Sequence, residues 1–457
     1  MNRRTKAVAL MGLVAVCAAI IGQGCPSLSP APNPNSGLTG DYVGAERCFT
    51  CHSRTHDEWM LTRHNQAYND LVQLGQETNG VCLTCHSTGY GKPGGFQSTA
   101  TTLDLANVGC EACHGAAGPH VRDVTNRALR PPVSISADWC SACHNGFHHD
   151  TYSQWKSSRH ATVTETVAEE LAEGTVATSC GICHSGDVRQ ARFVENLTIT
   201  DAFLSGVEPD HQNAVTCAVC HDPHATTGNA LNPPAAHDRQ LRYPQVTYPE
   251  PANLAAQTTD PNRFNLCGQC HHDRGRDWTT NSRGPHHSVQ ANMFVGEMVT
   301  PAGQSPLVAN QNTTHRFVQK QCVTCHMQRQ EPINDVPAEA GNLQLTHTFS
   351  VDSFAGCVAS GCHPTEQAAE ADLIALKAEV QGRLDAIAAR MGPPSTWQFS
   401  AEGGPAASAQ SAIPVQIRKA RWLWAYVVAD GSLGTHNPPY TRSILREAET
   451  LLTAAGK

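Results

Sequence analysis

Cys48-Phe49-Thr50-Cys51-His52 is the first of nine places in the chain where a pair of cysteines is followed at once by a histidine. The eight regular motifs have two residues between the cysteines: Cys48/Cys51/His52, Cys82/Cys85/His86, Cys110/Cys113/His114, Cys140/Cys143/His144, Cys180/Cys183/His184, Cys217/Cys220/His221, Cys267/Cys270/His271 and Cys322/Cys325/His326. The ninth, Cys357/Cys362/His363, has four. Histidine accounts for only 24 of 457 residues, so its presence after every pair is not a chance pattern. We number the motifs 1 to 9 in chain order.

The spacing within each motif has a chemical reason. Two thiols three residues apart can each add to one vinyl group of the same haem, and the imidazole that follows becomes the proximal iron ligand. One such motif would equally suggest a zinc knuckle or a redox pair of cysteines, but nine indicate c-type haem attachment. We therefore predict eight to nine haem c groups per chain, the lower number applying if the stretched motif 9 binds none.

The two cysteines outside the motifs, Cys17 and Cys25, lie in an N-terminal leader. The leader begins with basic residues and continues with sixteen largely apolar ones, Ala7–Gly22, the length of a secretory signal rather than of a bilayer span. Gly22-Gln23-Gly24-Cys25 resembles a bacterial lipobox, so Cys25 is a candidate for lipidation, and an ordinary cleaved signal peptide is the alternative. We predict export to the periplasm or the outer surface of a bacterial membrane, with a lipid anchor on the membrane surface.

The chain divides into segments of different composition. A signal peptide (1–24) and a disordered tether (25–40) precede three modules of three haems each (41–139, 140–266 and 267–363), and a haem-free helical region (364–457) follows. Each module begins with a motif that is followed by a tryptophan and then a histidine. The pairs are Trp59 with His64, Trp155 with His160, and a looser third copy, Trp278 with His286 and His287. Such a repeat predicts one structural unit used several times.

The composition limits what the interior can be made of. Aromatic residues are only 6% of the chain, and the stretches between motifs have no sustained helical or strand period. We expect a mainly α protein with short helices and extensive irregular coil, in which the haems themselves form the core. After His363 apolar residues recur at steps of three and four from Leu373 to Met391, and two more apolar segments follow. These predict a C-terminal helical hairpin or small bundle. The net charge of −8 without a basic tract argues against nucleic-acid binding.

Fifteen histidines remain outside the motifs, enough to supply a distal ligand to every haem. Bis-histidine ligation is expected to give low reduction potentials, since axial methionine raises them. The candidate distal ligands are His64, His120, His160, His224, His286, His287, His315, His347 and His436. The sequence assigns no catalytic residue.

Several segments resemble the multihaem cytochrome c superfamily that includes the tetrahaem cytochrome c of ammonia oxidisers, hydroxylamine oxidoreductase and pentahaem nitrite reductase. They are Val108-Gly109-Cys110-Glu111-Ala112-Cys113-His114-Gly115, His347-Thr348-Phe349 and His436-Asn437-Pro438. The resemblance implies a chain of closely stacked haems, and it supports His64, His160, His347 and His436 as distal ligands. One departure is that the family's nitrite reductase has a lysine-terminated motif at its catalytic haem, whereas every motif here ends in histidine.

Three functions are consistent with these features. The first is electron transfer along the haems between partners such as other redox proteins or membrane quinol-oxidising complexes. The second is an oxidoreductase with one open haem that acts on a small nitrogen or sulfur compound of the nitrite, hydroxylamine or tetrathionate class. The third is a subunit of a haem filament at the cell surface. We favour the first hypothesis because histidine ligands are abundant.

Overall fold

The computed structural model describes residues 41–145, 150–226, 240–242, 266–318, 321–328 and 346–457. The predicted leader, Cys25 and the tether lie outside these residues. Contacts divide the chain into two compact units, the first ending at Ser134 and the second running from Ile135 to Lys457. Among the described residues the regular structure is helical, and extended pairing is limited to two isolated bridges, Ser87 with Ala106 and His221 with Leu241. The predicted fold class, mainly α with much irregular coil, is confirmed.

Short helices carry the motifs of the first unit. They are α1 (Glu46–Met60), α2 (Ala67–Gln73), α3 (Gly80–His86), α4 (Thr99–Thr102), α5 (Cys110–His114) and α6 (Gly118–Arg122). Motif 1 lies inside α1, which departs from helical geometry at His52. Motif 2 occupies α3, whose first turn is capped by Asn79, since its side chain accepts a hydrogen bond from the Val81 amide at 3.0 Å.

Short helices also form the second unit up to motif 9. Its helices are α7 (Asp138–Ser141), α8 (Thr151–Ser157), α9 (Glu165–Ala172), α10 (Ile182–His184), α11 (Gly186–Phe193), α12 (Cys217–Cys220), α13 (Gln290–Val295), α14 (Cys322–His326) and α15 (Ala355–Ala359). Residues Ala177–Gly181, just before α10, form a π-helical turn at the first cysteine of motif 5. Single 3₁₀ turns occupy His64–Gln66, Leu103–Leu105, Arg127–Leu129, Arg159–Ala161, Asp201–Leu204, Pro209–His211, Cys267–Gln269, Thr314–Phe317, Ser400–Glu402 and Ala407–Ala412.

The C-terminal region is built differently, from long helices. They are α16 (Glu366–Met391), the short α17 (Pro394–Trp397), α18 (Val415–Asp430) and α19 (Pro438–Ala454). Helix α16 begins at Thr365, whose side chain accepts from the Ala368 amide, and α19 begins at Asn437, which caps the Tyr440 amide. The predicted helical bundle is confirmed, because α16 and α18 both pack on α19.

A conventional apolar core lies in this region and extends towards motif 7. It includes Trp422, Tyr426 and Ile444 from the helices, and Trp278, Val289 and Met293 from the chain after motif 7. The other apolar clusters of the described residues are much smaller. The predicted haem-free helical region thus has an apolar core of its own, which its long helices bury against one another.

Arg421 joins this core to the chain after motif 7. Its guanidinium is fully buried and donates to the carbonyl of Trp397 at 2.6 Å, to Gln410 Oε1 at 2.8 Å and to Asn281 Oδ1 at 3.1 Å. It also lies 4.1 Å from the centre of the Phe399 ring. Burial, together with Arg418, lowers the pKa of Arg421 to about 10. A buried cation with neutral partners fixes the loop 393–413 against α18, since each of those partners would otherwise lose a hydrogen bond.

Candidate haem-binding sites

Helical turns present the cysteine pairs of several motifs. Residues three apart in a helix lie on one face, so the two thiols of motifs 2, 3, 6 and 8 point to the same side of α3, α5, α12 and α14. All of the motif cysteines are among the described residues, and no disulfide joins any of them. The local geometry of these four motifs therefore meets the requirement for two thioether bonds to one haem.

Motifs 4 and 9 differ from this arrangement. Helix α7 ends at Ser141, so Cys143 and His144 lie in the turn beyond it, where their amides donate to the Cys140 carbonyl at 3.2 and 2.9 Å. In motif 9, α15 ends at Ala359 and Cys362 lies beyond it, with its Sγ 3.6 Å from the Ser360 carbonyl oxygen. The nine motifs are alike in sequence but differ in geometry. In motif 4 and in motif 9 the two cysteines do not lie in one helix.

The second cysteines of the motifs also differ in exposure. Three of them are exposed, namely Cys51, Cys113 and Cys362, whereas Cys85 and Cys143 are partly buried. The Sγ atom of Cys85 lies 3.8 Å from the hydroxyl oxygen of Thr84 in the same helix. Attachment of haem at these five cysteines, as at the others, stays a prediction from the spacing.

In both units the first cysteines of two motifs approach each other. In the first unit the thiols of Cys48 and Cys110, from motifs 1 and 3, are hydrogen-bonded, and this contact and burial raise the pKa of Cys48. In the second unit Cys140 and Cys217, from motifs 4 and 6, are paired in the same way. Since each thiol would mark the edge of a haem, these pairs of haems would be neighbours.

Further thiol contacts link the other motifs of the second unit. Cys183 of motif 5 contacts Cys270 of motif 7, and Cys267 of motif 7 contacts Cys322 of motif 8. Cys220 of motif 6 lies within electrostatic range of Cys270. Cys325 of motif 8 lies within the same range of Cys357 of motif 9. The two contacts and the two proximities are consistent with the order 4, 6, 7, 8 and 9 for these motifs, with motif 5 beside motif 7.

Proximal histidines of the second unit face other imidazoles. An imidazole nitrogen binds a metal ion such as zinc at about 2 Å, so two axial imidazoles on one ion have ring centres about 6 Å apart. The facing pairs are His160 with His271 at 6.1 Å, His221 with His347 at 6.4 Å, and His326 with His436 at 6.1 Å between ring centres. His184 faces both His286 at 6.1 Å and His287 at 6.0 Å. These gaps fit a haem iron held between two histidines.

The other proximal histidines are placed by their own motifs, and their ligand role stays a prediction. His144 is half-buried in the turn after α7, where its carbonyl accepts from the Tyr152 amide at 2.8 Å. This bond ties the end of motif 4 to the first turn of α8. His363 Nδ1 lies 3.4 Å from Asp372 Oδ2 of α16. The rest of this group, in the first unit, are His52, His86 and His114.

His315 lies near the proximal histidine of motif 9. Burial lowers the pKa of His315, the Thr435 carbonyl opposes this, and nearby His363 and His436 lower it further. The Nδ1 atom of His315 is 2.9 Å from the Thr435 carbonyl oxygen. Its position makes His315 the candidate distal ligand for motif 9.

The Nδ1 atoms of many of these histidines contact acceptors, which leaves Nε2 for a metal. The acceptor is a carbonyl oxygen for His86 (Ala67, 2.7 Å), His114 (Pro132, 2.9 Å) and His326 (Phe349, 3.0 Å). It is the Gln290 side chain for His271, at 3.3 Å. Partners of this kind fix the ring orientation and tautomer of a metal-binding histidine. Burial and neighbouring His271 also lower the pKa of His160 to about 4, which keeps that ring in its neutral, metal-binding form.

His436 has a charged partner instead. Its Nδ1 lies 2.6 Å from Asp430 Oδ1, and the Asp430 side chain is completely buried at the end of α18. The other Asp430 oxygen accepts a hydrogen bond from Ser432. Burial disfavours the charged form of His436, but Asp430 outweighs it, so the pKa of His436 is raised. The imidazole that faces His326 is therefore the most strongly polarised of those described above.

Two modules share the same tryptophan geometry. Trp59 Nε1 donates to the Val108 carbonyl at 3.1 Å, and the Val108 amide donates to the His64 carbonyl at 3.0 Å. In the next module Trp155 Nε1 donates to the Val215 carbonyl at 2.9 Å, and the Val215 amide donates to the His160 carbonyl at 3.1 Å. In each case the valine precedes the third motif of the module by two residues. The repeat thus ties a candidate distal histidine to the chain just before a motif.

The third copy of the repeat differs. Trp278 lies in the C-terminal core, with Lys419 Nζ 4.8 Å from its ring centre. Its Nε1 is buried and has no hydrogen-bond partner among the described residues. The spacing from Trp278 to His286 and His287 is also longer than the spacing from tryptophan to histidine in the other two copies.

The remaining candidate distal histidines lie elsewhere. His224 is 4.0 Å from Asp222 and half exposed. His120 lies in α6, with a buried Nδ1 for which the described part of the chain offers no hydrogen-bond partner. His64 is in the 3₁₀ turn His64–Gln66. Their assignment as ligands stays a prediction.

Some residues that shape these sites carry no signal in the sequence. The histidine contacts of three residues depend on how the chain folds back. Gln290 contacts His271, 19 residues earlier, while short turns bring Ser288 to His286 and Asp430 to His436. Glu111, inside motif 3, is buried and accepts from the amides of Gly44 at 2.8 Å and Ala117 at 2.8 Å. Its position between the cysteines gives no hint of this structural role.

Part of the chain is similar to known cytochromes. Residues 47–115 match the family model described as cytochrome c554 and c-prime. The predicted resemblance to multihaem c-type cytochromes is confirmed: the chain carries the motifs and the fold of that class, and covalent haem c is its cofactor. Haem-based electron transfer is the function that this class supports.

Individual relatives agree with this assignment. The chain is 28% identical to cytochrome c-554 of Nitrosomonas europaea over 89 residues, which is 16% of this chain and 38% of that protein. It is 26% identical to the multihaem cytochrome MtrA of Shewanella baltica over 184 residues, 34% of this chain and 50% of that protein. The match thus spans half or less of the length of each relative. The solved structure of the outer cell wall cytochrome OcwA has a similar fold, with a TM-score of 0.59 and 18% identity, covering 90% of this chain and all of that one.

Proposed function

We propose that the chain is an exported electron carrier that holds up to nine haems, most or all with two histidine ligands. The facing imidazoles of the second unit carry this proposal. Four proximal histidines, those of motifs 5, 6, 7 and 8, each have a second imidazole at the distance that one iron requires. An iron with two protein ligands has no free position for a substrate, so this ligation favours a carrier over an enzyme.

The thiol contacts support a continuous path through the second unit. Bound haem supplies reversible one-electron chemistry, and its reduction potential depends on the axial ligands and their surroundings. The chain's residues hold neighbouring motifs in the order 4, 6, 7, 8 and 9. The thiols of Cys140 and Cys217 are in contact, as are those of Cys267 and Cys322, whereas Cys220 only lies near Cys270 and Cys325 only near Cys357. Motif 5 joins this series from the side, at motif 7.

The partners follow from the predicted location. A leader and a lipidated Cys25 would place the haem-binding region at a membrane surface, where quinol-oxidising complexes or other redox proteins can donate and accept electrons. Among the described residues, none of the helices has the length and apolar character needed to cross a bilayer. The similar fold of a cytochrome described as belonging to an outer cell wall is consistent with export.

The experiment that tests the proposal is spin-quantified EPR of the purified oxidised protein, combined with haem and iron analysis. We expect nine haems and only low-spin ferric signals. A stoichiometric high-spin component that binds nitrite or hydroxylamine with turnover would instead support the enzyme. Electron microscopy of the same sample distinguishes a dispersed carrier from a filament.

The stretched motif 9 decides between eight and nine haems. Replacing both of its cysteines, Cys357→Ser with Cys362→Ser, should lower the haem content by one if this motif is used, even though its second thiol lies outside α15. Cys140→Ser with Cys143→Ser is the matched control, at a regular motif whose second cysteine also lies beyond the end of its helix. An unchanged haem content in the motif 9 variant would set the number at eight.

The variant His436→Ala is a useful calibration of the EPR experiment. It removes the imidazole that faces His326, so we expect one high-spin haem to appear while the haem content is unchanged. If the spectrum stays low-spin throughout, the facing pair His326 and His436 does not represent axial ligation and the proposal loses its main support.

A further inference from the structure

Motif 5 has one more distal histidine than an iron can use. The His184 ring faces both His286 and His287, at almost equal distances. The candidate ligand atoms of the three histidines all lie within 4.8 Å of one another. The rings of His286 and His287 are 4.0 Å apart and inclined by only 32°. Two side-by-side rings cannot both occupy the single axial position opposite His184, so only one of them can be the iron ligand at a time.

A buried hydroxyl group distinguishes the two rings. The Ser288 hydroxyl donates its proton to the His272 carbonyl oxygen at 2.6 Å. Its oxygen must therefore accept the hydrogen bond from His286 Nδ1, which is 2.9 Å away. This arrangement puts the His286 proton on Nδ1 and leaves the Nε2 lone pair for iron. His286 is thus oriented as a ligand before any metal binds.

His287 is held less tightly and is open to solvent. Its backbone carbonyl accepts from Gln290 Nε2 at 2.8 Å, while its ring is exposed. The charged side chains of Arg159 and Arg274 lie near this ring. Arg274 is itself fixed next to motif 5, because its Nη2 donates to the Ser179 carbonyl oxygen at 3.1 Å. His287 therefore presents a solvent-exposed ring beside the half-buried ring of His286.

Arg274 reaches this position from a strained turn. Its φ angle is +61°, in the left-handed region that is uncommon for residues other than glycine. The turn is held by the Arg274 amide, which donates to His272 Nδ1 at 3.1 Å, and by the Gly275 amide, which donates to Asp273 Oδ1 at 3.1 Å. Backbone strain of this kind is retained where the surroundings fix it, often at functional positions.

We propose that motif 5 is a ligand-exchange site, at which His286 is the resting distal ligand and His287 replaces it. The inference rests on the proposed bis-histidine function and adds to it. The other facing pairs described for the second unit have one distal ring each. Exchange is therefore proposed for motif 5 alone among them, the motif that lies beside the series 4, 6, 7, 8 and 9. A histidine that moves off and on the iron gives this haem two ligation states and, in passing between them, a transient opening towards solvent on the side of Arg159 and Arg274.

The test uses four variants: His286→Ala, His287→Ala, the double variant, and Ser288→Ala. Haem content and far-UV circular dichroism establish that each variant is assembled. In EPR we expect His287→Ala to match the wild type and His286→Ala to stay fully low-spin with one set of g values shifted. The double variant should lose one low-spin haem and gain one high-spin haem. Ser288→Ala, which frees the His286 ring, should show both low-spin sets together.

The possible results separate this inference from the proposed function. A high-spin haem in the His286→Ala protein overturns the exchange, because His287 then does not replace His286. A high-spin haem in the His287→Ala protein, or none in the double variant, overturns it as well. A high-spin haem already present in the wild type contradicts the carrier but leaves the comparison among variants intact. His436→Ala serves as the matched control for a site with one distal ring.

Discussion

At the scale of single residues, the group that accepts a hydrogen bond from the Nδ1 atom of a histidine influences the iron that this histidine binds. His326 and His436 face each other, yet His326 donates to a backbone carbonyl and His436 to a buried carboxylate. A negative acceptor increases the basicity of the ring and stabilises the ferric state. Among the facing pairs described, that of motif 8 should therefore have the lowest reduction potential.

Replacing Asp430 by asparagine tests this effect. The variant keeps a hydrogen-bond acceptor but removes the charge, a difference of about 1 kcal/mol, or about 40 mV for one electron. We expect the potential of one haem to rise by about that amount in a spectroelectrochemical titration, with all haems still low-spin. Ser432→Ala, which removes the other partner of Asp430, should give a smaller change. An unchanged titration curve for Asp430→Asn would show that the carboxylate does not influence the iron.

The sequence predicts the covalent chemistry of the sites far better than their surroundings. The motif cysteines and their histidines are adjacent in the chain, so their roles follow from short-range spacing. Spacing does not reveal that Cys143 and Cys362 lie beyond the ends of their helices, because helix ends depend on neighbouring packing. Asp430 reaches His436 through a turn that no local pattern specifies. The sequence predicts both His286 and His287 as candidate distal ligands, but it does not reveal the Ser288 hydrogen bond that orients His286.

At the scale of elements, the tryptophan repeat predicts a unit that the structure contains twice in full. Helices α1 and α8 each end near a tryptophan that bonds to the chain before a later motif. The third tryptophan, Trp278, lies outside a helix and belongs to the C-terminal core. Sequence spacing alone detected the looser third copy but not its cause, which is the packing of α16, α18 and α19 against this part of the chain.

Replacing Trp155 by phenylalanine should weaken the second unit. The ring volume is reduced and the Val215 carbonyl loses its donor, which together should lower the free energy of unfolding by about 1–3 kcal/mol. Trp278→Phe is the matched control, because Trp278 loses a similar volume without losing a hydrogen bond of the described residues. Denaturant unfolding followed by circular dichroism measures both. Equal destabilisation by the two substitutions would mean that the Val215 hydrogen bond contributes nothing.

At the scale of the whole molecule, the order of motifs in space departs from their order in the chain. Motifs 4, 5 and 6 are consecutive in the chain and form one predicted module, but a thiol contact joins motif 4 to motif 6, and Cys220 of motif 6 lies near Cys270 of motif 7. Motif 5 contacts motif 7 instead. Such contacts depend on how loops return across the molecule, so the spacing of motifs along the chain does not contain them.

This order predicts that motifs 5 and 8 differ in importance for conduction. Cys322→Ser with Cys325→Ser removes the haem between motifs 7 and 9, whereas Cys180→Ser with Cys183→Ser removes one beside the series. A photoreductant attached at the exposed position Ile374, near motif 9, would inject an electron, and flash absorption would follow its spread. We expect loss of motif 8 to slow the spread and loss of motif 5 to leave it nearly unchanged. Similar rates in both variants would contradict the proposed path; haem content and circular dichroism control for misassembly.

The C-terminal core also constrains how the molecule matures. Gly268 and Gln269, between the cysteines of motif 7, are buried, and Asp273 just beyond them bonds to Tyr426 of α18 at 3.1 Å. Thioether bonds at this motif must form while it is still accessible to the attachment machinery. Because α16, α18 and α19 follow motif 7 in the chain, this packing can form only after the motif itself has been made. A helical region that comes later in the chain than the motif it covers thus leaves an interval in which the predicted haem can be added before the surrounding structure closes.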